Sequence, residues 1–353
     1  MIKIGALCAG YGGLELALQH IGTQTELAWF SDTDNHANHV MSTRFKTSVG
    51  LGDLTKISNP PSVDVVTAGF PCQPVSQAGK RLGMEDERWL IDDVCRIGRE
   101  AGAKFLLLEN VSGICTANGG HAFSRVVSAL AENGFSAEWT HLPAAEVGAP
   151  HNRLRWFCLA YTDSGGHGCP QNCGTVGRLD IRNESETRER ERSRTQFGNR
   201  SDASHADPNS ASKQTWGDTG CGGECFWQEL MGYSPSFADS YLSGRVQHGR
   251  SCADETKHPA FKRCSDGHDR FGQYGPAIAR WEFVVGRCAP DAVDASGRLN
   301  ASFVEWMMGL PEGWVTDIVD SRTAQLKLLG NGVVPQQAAH AFRILAQQAT
   351  SEN

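Results

Sequence analysis

The chain has 353 residues, 40% of them apolar, and a formal net charge of −7. That length predicts two domains, one interrupted by the other, with enough apolar material for a sizeable core. The negative balance weighs against non-specific binding of polyanions, although local positive surfaces and not net charge decide such binding. No run of about 18 apolar residues occurs, which argues against a membrane span. The start Met1-Ile2-Lys3-Ile4-Gly5 lacks the charged head and long apolar stretch of a signal peptide, so a cytoplasmic protein is expected. Without a secretion signal the twelve cysteines are not expected to form a disulfide framework. Cys8, Cys95 and Cys158 lie in apolar segments and read as small buried hydrophobes.

In chain order, Lys3 to Ala9 is an apolar strand ending in Gly10-Tyr11-Gly12-Gly13, and Leu14, Leu16, Ala17 and Leu18 follow at helical spacing. Glu26 to Ser31 is a second strand, with Asp32 and Asp34 just beyond its end. Val63 to Ala68 is a third, closed by Gly69-Phe70-Pro71-Cys72. Trp89 to Ala101 reads as a helix with Leu90, Val94, Ile97 and Ala101 on one face. Phe105 to Leu108 is a fully apolar strand ending at Glu109-Asn110. Phe123, Val126, Val127 and Leu130 mark another helix, stopped near Gly134, and Trp156 to Tyr161 is one more strand. Continuous apolar strands separated by amphipathic helices predict an α/β fold with a doubly wound, mostly parallel sheet. Ligands of such sheets bind beyond the carboxyl ends of the strands. Composition changes near Thr162. Residues 162–270 are rich in Gly, Ser, Arg, Asp and Asn, and 162–225 is expected to be largely loop or disordered. Pattern returns with a helix candidate over 276–285 and a final helix over roughly Pro335 to Gln348, with Ala338, Ala339, Phe342 and Leu345 on one face.

Six motifs stand at these strand and helix ends. Ala9-Gly10-Tyr11-Gly12-Gly13 lets a ligand approach the backbone closely. Glu15 stands where a dinucleotide fingerprint needs glycine, so a nucleoside without a pyrophosphate fits better; the plainer reading is a tight turn. Asp32, or else Asp34, is placed to accept from ribose hydroxyls, and Asp53 from an adenine amino group, although an acid after a strand is commonly just solvated. Cys72 stands between Pro71 and Pro74, whose fixed backbone angles present it rigidly, which suits a covalent nucleophile better than a structural cysteine. Glu109, at the end of an apolar strand, is expected to have a raised pKa and to hold or share a proton. Arg153 and Arg155, two apart on a strand, are expected on one face, where two guanidinium groups could grip a phosphate or a base oxygen. Gly330-Asn331-Gly332-Val333 before the last helix reads as a ligand-facing loop or a simple turn.

Taken together and in this order, these motifs resemble the DNA cytosine-5 methyltransferase family. Gly69-Phe70-Pro71-Cys72-Gln73-Pro74 resembles its signature, Glu109-Asn110-Val111 its next landmark, and residues 77–88 its mobile active-site loop. Asn300 to Trp314, with Glu305, Gly309 and Pro311, and Leu329 to Gln336 resemble its last two motifs. The likeness covers about residues 1–160 and 275–353. It implies a Rossmann-like methyltransferase sheet that binds S-adenosylmethionine through Cys8, Ala9, Gly10, Tyr11, Gly12, Gly13, Asp32, Asp53, Phe70, Pro71, Asn331 and Val333. It implies catalysis by Cys72, Glu109, Arg153 and Arg155, with Gln73, Ser76 and Asn110 on the substrate. By resemblance Cys72 adds to carbon 6 of a flipped cytosine, Glu109 contacts ring nitrogen 3, Arg155 holds the base oxygen, Arg153 supports the site, and carbon 5 is methylated. Two positions depart from the family pattern. Cys8 replaces an aromatic residue, so packing on the adenine has to come from elsewhere, Tyr11 or Phe70 being candidates. His151 stands where glutamine is usual.

The expected organisation is a catalytic domain over 1–165, a smaller target-recognition domain inserted over 166–322, and a return to the catalytic domain over 323–353. Cys169, Cys173, Cys221 and Cys225 form two CxxxC pairs, with His167, His205 and Cys252 nearby. A structural zinc there competes with free cysteines in a flexible insert, and no metal is assigned. Double-stranded DNA is the expected partner of a monomer, with a cognate restriction endonuclease in a bacterial or phage system. The rivals are an RNA cytosine methyltransferase and an inactive DNA-binding regulator; a long middle segment favours DNA.

Overall fold

The protein is described here from a computed structural model, over residues 1–71, 89–162 and 270–351. The N-terminal part alternates strand and helix: β1 (Ile2–Leu7), α1 (Gly13–His20), β2 (Thr25–Ser31), α2 (Asn35–Arg44), β3 (Val49–Gly50) and β4 (Val65–Gly69). It continues through α3 (Leu90–Glu100), β5 (Phe105–Val111), α4 (His121–Glu132), β6 (Phe135–Pro143) and β7 (Leu154–Thr162). The C-terminal part supplies α5 (Gly275–Val285), α6 (Ala301–Met307), α7 (Arg322–Asn331) and α8 (Pro335–Ser351).

The strands form one seven-stranded sheet in the order β3-β2-β1-β4-β5-β7-β6. The first five run parallel, and β7 and β6 are added antiparallel. The mostly parallel sheet predicted from continuous apolar strands is therefore present, as a Rossmann-like sheet. Strand order reverses between β1 and β4, the point at which such sheets open a crevice.

Side chains alternate across the sheet and build a core on each face. Ile4, Val65, Leu107 and Phe157 pack against α1 and α8, through Leu18, Phe342 and Leu345. Val66, Ala68, Leu106, Leu108 and Cys158 pack against α3 and α4, through Val94, Ile97, Val126 and Leu130. A third core joins Tyr11 and Leu16 from the start of the chain to Trp281, Trp306, Leu329 and Val334 from its end. Glu305 organises the turn after α6 by accepting from the backbone N–H of Gly313 (2.9 Å), Val315 (2.6 Å) and Thr316 (3.0 Å).

Five elements, α2, β3, β6, α6 and α7, stand where the sequence-based expectation placed no strand or helix. α2 was not predicted, because only Ala37, Val40 and Met41 of its ten residues are buried and the periodic signal is faint. β6 is an edge strand with mixed burial, so it has no continuous apolar run. Asn331 closes helix α7 instead of lying in a turn. Among the described residues no helix is long and apolar enough to cross a membrane.

Candidate active site

At the switch point between β1 and β4 lies a cleft of about 560 Å³. Its floor is the loop after β1. Gly10 and Gly12 have φ of +55° and +84°, a region that disfavours side chains, and a Cβ on Gly13 would come within 2.8 Å of the Val333 carbonyl oxygen. The loop is tied to β2, since the Gly10 N–H donates to Asp32 Oδ2 at 2.9 Å and Asp32 Oδ1 accepts from the Asp34 N–H at 2.8 Å. Cys8 also adopts a positive φ of 49°. Burial pushes its thiol up to about 12, with Asp32 adding to the shift, so it packs as a neutral group.

The opposite wall comes from the end of the chain. Tyr11 is fully buried; its hydroxyl donates to the Val333 carbonyl at 2.7 Å, and its ring occupies the space a Cβ on Gly332 would fill. Arg153 Nη2 donates to the carbonyls of Gly330 (2.8 Å) and Gly332 (2.5 Å). Asn331, Gly332, Val333 and Lys327 line the cleft. Lys327 pairs with Asp34 at 3.0 Å, while Asp34 also caps α2 through the His36 N–H. Those contacts commit Asp34 to the frame.

The remaining side is built on β4 and β5. Phe70 and Pro71 line the cleft, and Asn110 Nδ2 donates to the Phe70 carbonyl at 2.7 Å, joining the two strand ends. Glu109 is 7% exposed and its Oε1 lies 2.9 Å from Arg155 Nε. Burial pushes the Glu109 carboxyl up to about 7, against the downward pull of Arg155 and then Arg153. A carboxyl near 7 can give or take a proton at neutral pH.

Of the residues expected at the site, Cys8, Ala9, Gly10, Tyr11, Gly13, Asp32, Phe70, Pro71, Glu109, Asn110, Arg155, Asn331 and Val333 line this one cleft. Gly12 belongs to its loop as the cap of α1. Asp53 does not line it: its carboxylate accepts from the Thr55 N–H at 3.0 Å and Thr55 hydroxyl at 2.8 Å and pairs with Lys56 at 3.2 Å. Arg153 precedes β7, which begins at Leu154, and the two arginines diverge: Arg155 reaches Glu109 while Arg153 reaches the loop before α8. Cys72, Gln73, Ser76 and the loop 77–88 lie outside the described residues, as do the CxxxC pairs weighed for zinc. Glu15, Lys327 and Leu328 also line the cleft and were not singled out from the sequence as site residues. The only signal for Glu15 was its place where a dinucleotide fingerprint would have glycine.

A family model described as C-5 cytosine-specific DNA methylase matches residues 2–346. The chain is 36% identical over 168 residues to the type II methyltransferase M.BanI of Aneurinibacillus aneurinilyticus, covering 46% of this chain and 39% of that protein. It is 35% identical over 169 residues to the type II methyltransferase M.HgiCI of Herpetosiphon aurantiacus, covering 46% and 40%. The matched stretch thus spans well under half the length of these relatives. Among solved structures, a mutant of DNMT2 from Spodoptera frugiperda superposes with a TM-score of 0.51 at 18% identity, covering 98% of this chain and 99% of that one. The Dnmt2 methyltransferase of S. pombe gives 0.51 at 16%, covering 99% of each; both likenesses concern the fold.

Proposed function

The chain belongs to the C-5 cytosine-specific DNA methylase family, and on that premise we propose that it transfers a methyl group from S-adenosylmethionine to carbon 5 of cytosine in a specific duplex DNA sequence. The observation that carries this reading is the single cleft joining an open glycine loop to the buried Glu109–Arg155 pair, with Phe70-Pro71 leading straight into Cys72.

The cleft suits the cofactor. Gly10 leaves the backbone bare, Asp32 keeps acceptor capacity beyond the two N–H groups it serves, and Glu15 Oε2 is a buried oxygen with no partner among the other described residues. Cys8 to Gly13, Asp32, Phe70, Asn331 and Val333 would hold it. When bound, S-adenosylmethionine supplies an electrophilic methyl group on a sulfonium. Cytosine carbon 5 is not nucleophilic enough until carbon 6 carries a nucleophile. The Cys72 thiolate forms a bond to carbon 6, and the electron pair moves toward the ring amide. Glu109, near neutral pKa, hydrogen-bonds ring nitrogen 3 and stabilises that charge. Arg155 holds Glu109 in place and meets the base oxygen. Once carbon 5 has taken the methyl group, with S-adenosylhomocysteine as the other product, a base to which no residue is assigned takes the carbon 5 proton; the freed electron pair re-forms the carbon 5–carbon 6 double bond and expels the Cys72 thiolate. The target base has to leave the duplex stack to meet these groups.

Within the same proposal, residues 1–165 and 323–353 form the catalytic domain and 166–322 carries target recognition. The restriction-modification setting with a companion endonuclease is supported by the type II names of the relatives. Methyl incorporation into duplex DNA and into tRNA, for wild type and Cys72→Ala, tests the reading. Incorporation into DNA that vanishes in Cys72→Ala is expected. Equal counts for the two proteins would remove the enzyme reading, and incorporation confined to tRNA would move the substrate to RNA.

A further inference from the structure

We propose that Glu15 is the counter-ion for the positive charge of the methyl donor, an inference that rests on reading the cleft as the S-adenosylmethionine site. Glu15 sits in the first turn of α1, directly after the glycine loop, and is 2% exposed. The Thr67 hydroxyl on β4 donates to its Oε1. Its Oε2 is buried and has no hydrogen-bond partner among the other described residues, and the residue lines the same cleft as Gly10 and Asp32. Glu15 therefore brings to the cleft a carboxylate oxygen that no other described residue satisfies, its own backbone N–H being the one group besides Thr67 that favours the charged form. Leaving a buried charge unpaired is costly, and the start of α1 offsets only part of that cost.

Each described cation that lines the cleft already has an anionic partner: Lys327 pairs with Asp34 and Arg155 with Glu109. Arg153 does not line the cleft; its Nη2 donates to the carbonyls of Gly330 and Gly332 and its buried Nε has no partner among the described residues. Asp32 lines the same cleft and has no cationic side chain paired with it among the described ion pairs. The missing complement is a cation brought by the ligand. S-adenosylmethionine carries two, the sulfonium and the ammonium; S-adenosylhomocysteine keeps only the ammonium. Burial pushes the Glu15 carboxyl up to about 7, the Thr67 bond opposing the shift, so at mildly acid pH the group is mostly neutral. Binding a cation would then expel its proton.

Calorimetric titration of the full chain with each ligand, at about pH 5.5 and about pH 7 in buffers of different ionisation heat, reads this directly. Wild-type affinity for S-adenosylmethionine should rise about tenfold over that interval, with nearly one proton released at the lower pH. Glu15→Gln, which can still accept from Thr67, should abolish both effects, and Glu109→Gln should keep them. Equal proton release with S-adenosylhomocysteine assigns the partner as the ammonium; release with S-adenosylmethionine alone assigns the sulfonium. Either supports the proposal. Wild-type binding that is independent of pH, or proton release lost in Glu109→Gln and kept in Glu15→Gln, overturns it while leaving the cofactor reading intact. Absence of binding by wild type at either pH overturns the cofactor reading itself. Should Glu15→Gln fail to fold, the wild-type and Glu109→Gln arms decide alone.

Discussion

Glu15 and Glu109 are both carboxyls pushed up to about 7 by burial, but Glu109 has a guanidinium beside it and Glu15 has a hydroxyl. A carboxyl whose folded pKa lies above its unfolded value binds more protons in the native state, so its contribution to stability falls as pH rises between the two. From about pH 4.5 to about pH 7 these two groups should therefore make the ligand-free protein less stable. Urea midpoints across that range should decline more steeply for wild type than for the Glu15→Gln/Glu109→Gln double variant; parallel curves would contradict the assignment. Gly332 offers a steric test at the same scale. A Cβ there overlaps the Tyr11 ring, which is fully buried and tethered through its hydroxyl to Val333. Gly332→Ala should cost about 1–3 kcal/mol, visible as a lower thermal midpoint. Glu109 was legible in the sequence because it closes a fully apolar strand, where burial raises a carboxyl's pKa, and because Glu109-Asn110-Val111 follows the Gly69 to Pro74 run in the order the resemblance implies. The partner of Glu15 was not, because Thr67 is 52 residues away and nothing local marks the pair.

Among the elements, the segment between α7 and α8 is held by two side chains, Tyr11 at Val333 and Arg153 at Gly332. Arg153 holds it through two carbonyls, and Gln337 at the start of α8 donates back to the carbonyls of Leu142 and Arg153, both at 2.7 Å. Arg153→Ala should lower stability by roughly 2–3 kcal/mol, since charge-assisted bonds to otherwise unpaired carbonyls are lost, and should weaken S-adenosylmethionine binding more than Arg153→Lys, which keeps one donor. Equal affinities for Arg153→Ala and wild type would show that the clasp does not shape the cleft. Alternation along a strand predicted Arg153 and Arg155 on one face. The strand begins only at Leu154, so Arg153 is free of that periodicity and turns to the C-terminal loop. Periodicity located the elements with continuous apolar runs or a wide apolar stripe. It passed over α2 and β6, whose positions are set by what they pack against.

Across the whole molecule, α8 seals one face of the sheet. Phe342 is fully buried and meets Phe157 edge-on, with ring centroids 5.8 Å apart. Phe342→Ala should cost about 3–5 kcal/mol, enough to consume much of a typical domain's stability, and denaturant unfolding should show a midpoint shift without a change of slope. The order of strands, and with it the crevice, was legible only as a class: apolar strands alternating with helices imply parallel pairing and ligands at carboxyl ends. That β7 and β6 return antiparallel to finish the sheet is settled by packing, because Trp156 to Tyr161 reads equally well in either direction.

The hydroxyl bond from Tyr11 to Val333 joins positions 322 residues apart, and it closes the cleft wall against the glycine loop. The glycine loop thus waits for Val333 before its pocket has two sides. Contacts of such long sequence separation form late and slowly. Growing chains and premature-stop products would hold the loop and the strand leading to Cys72 without a complete cleft around them. A chain that stops before Val333 would therefore keep the loop but lack the wall to which Tyr11 is tethered.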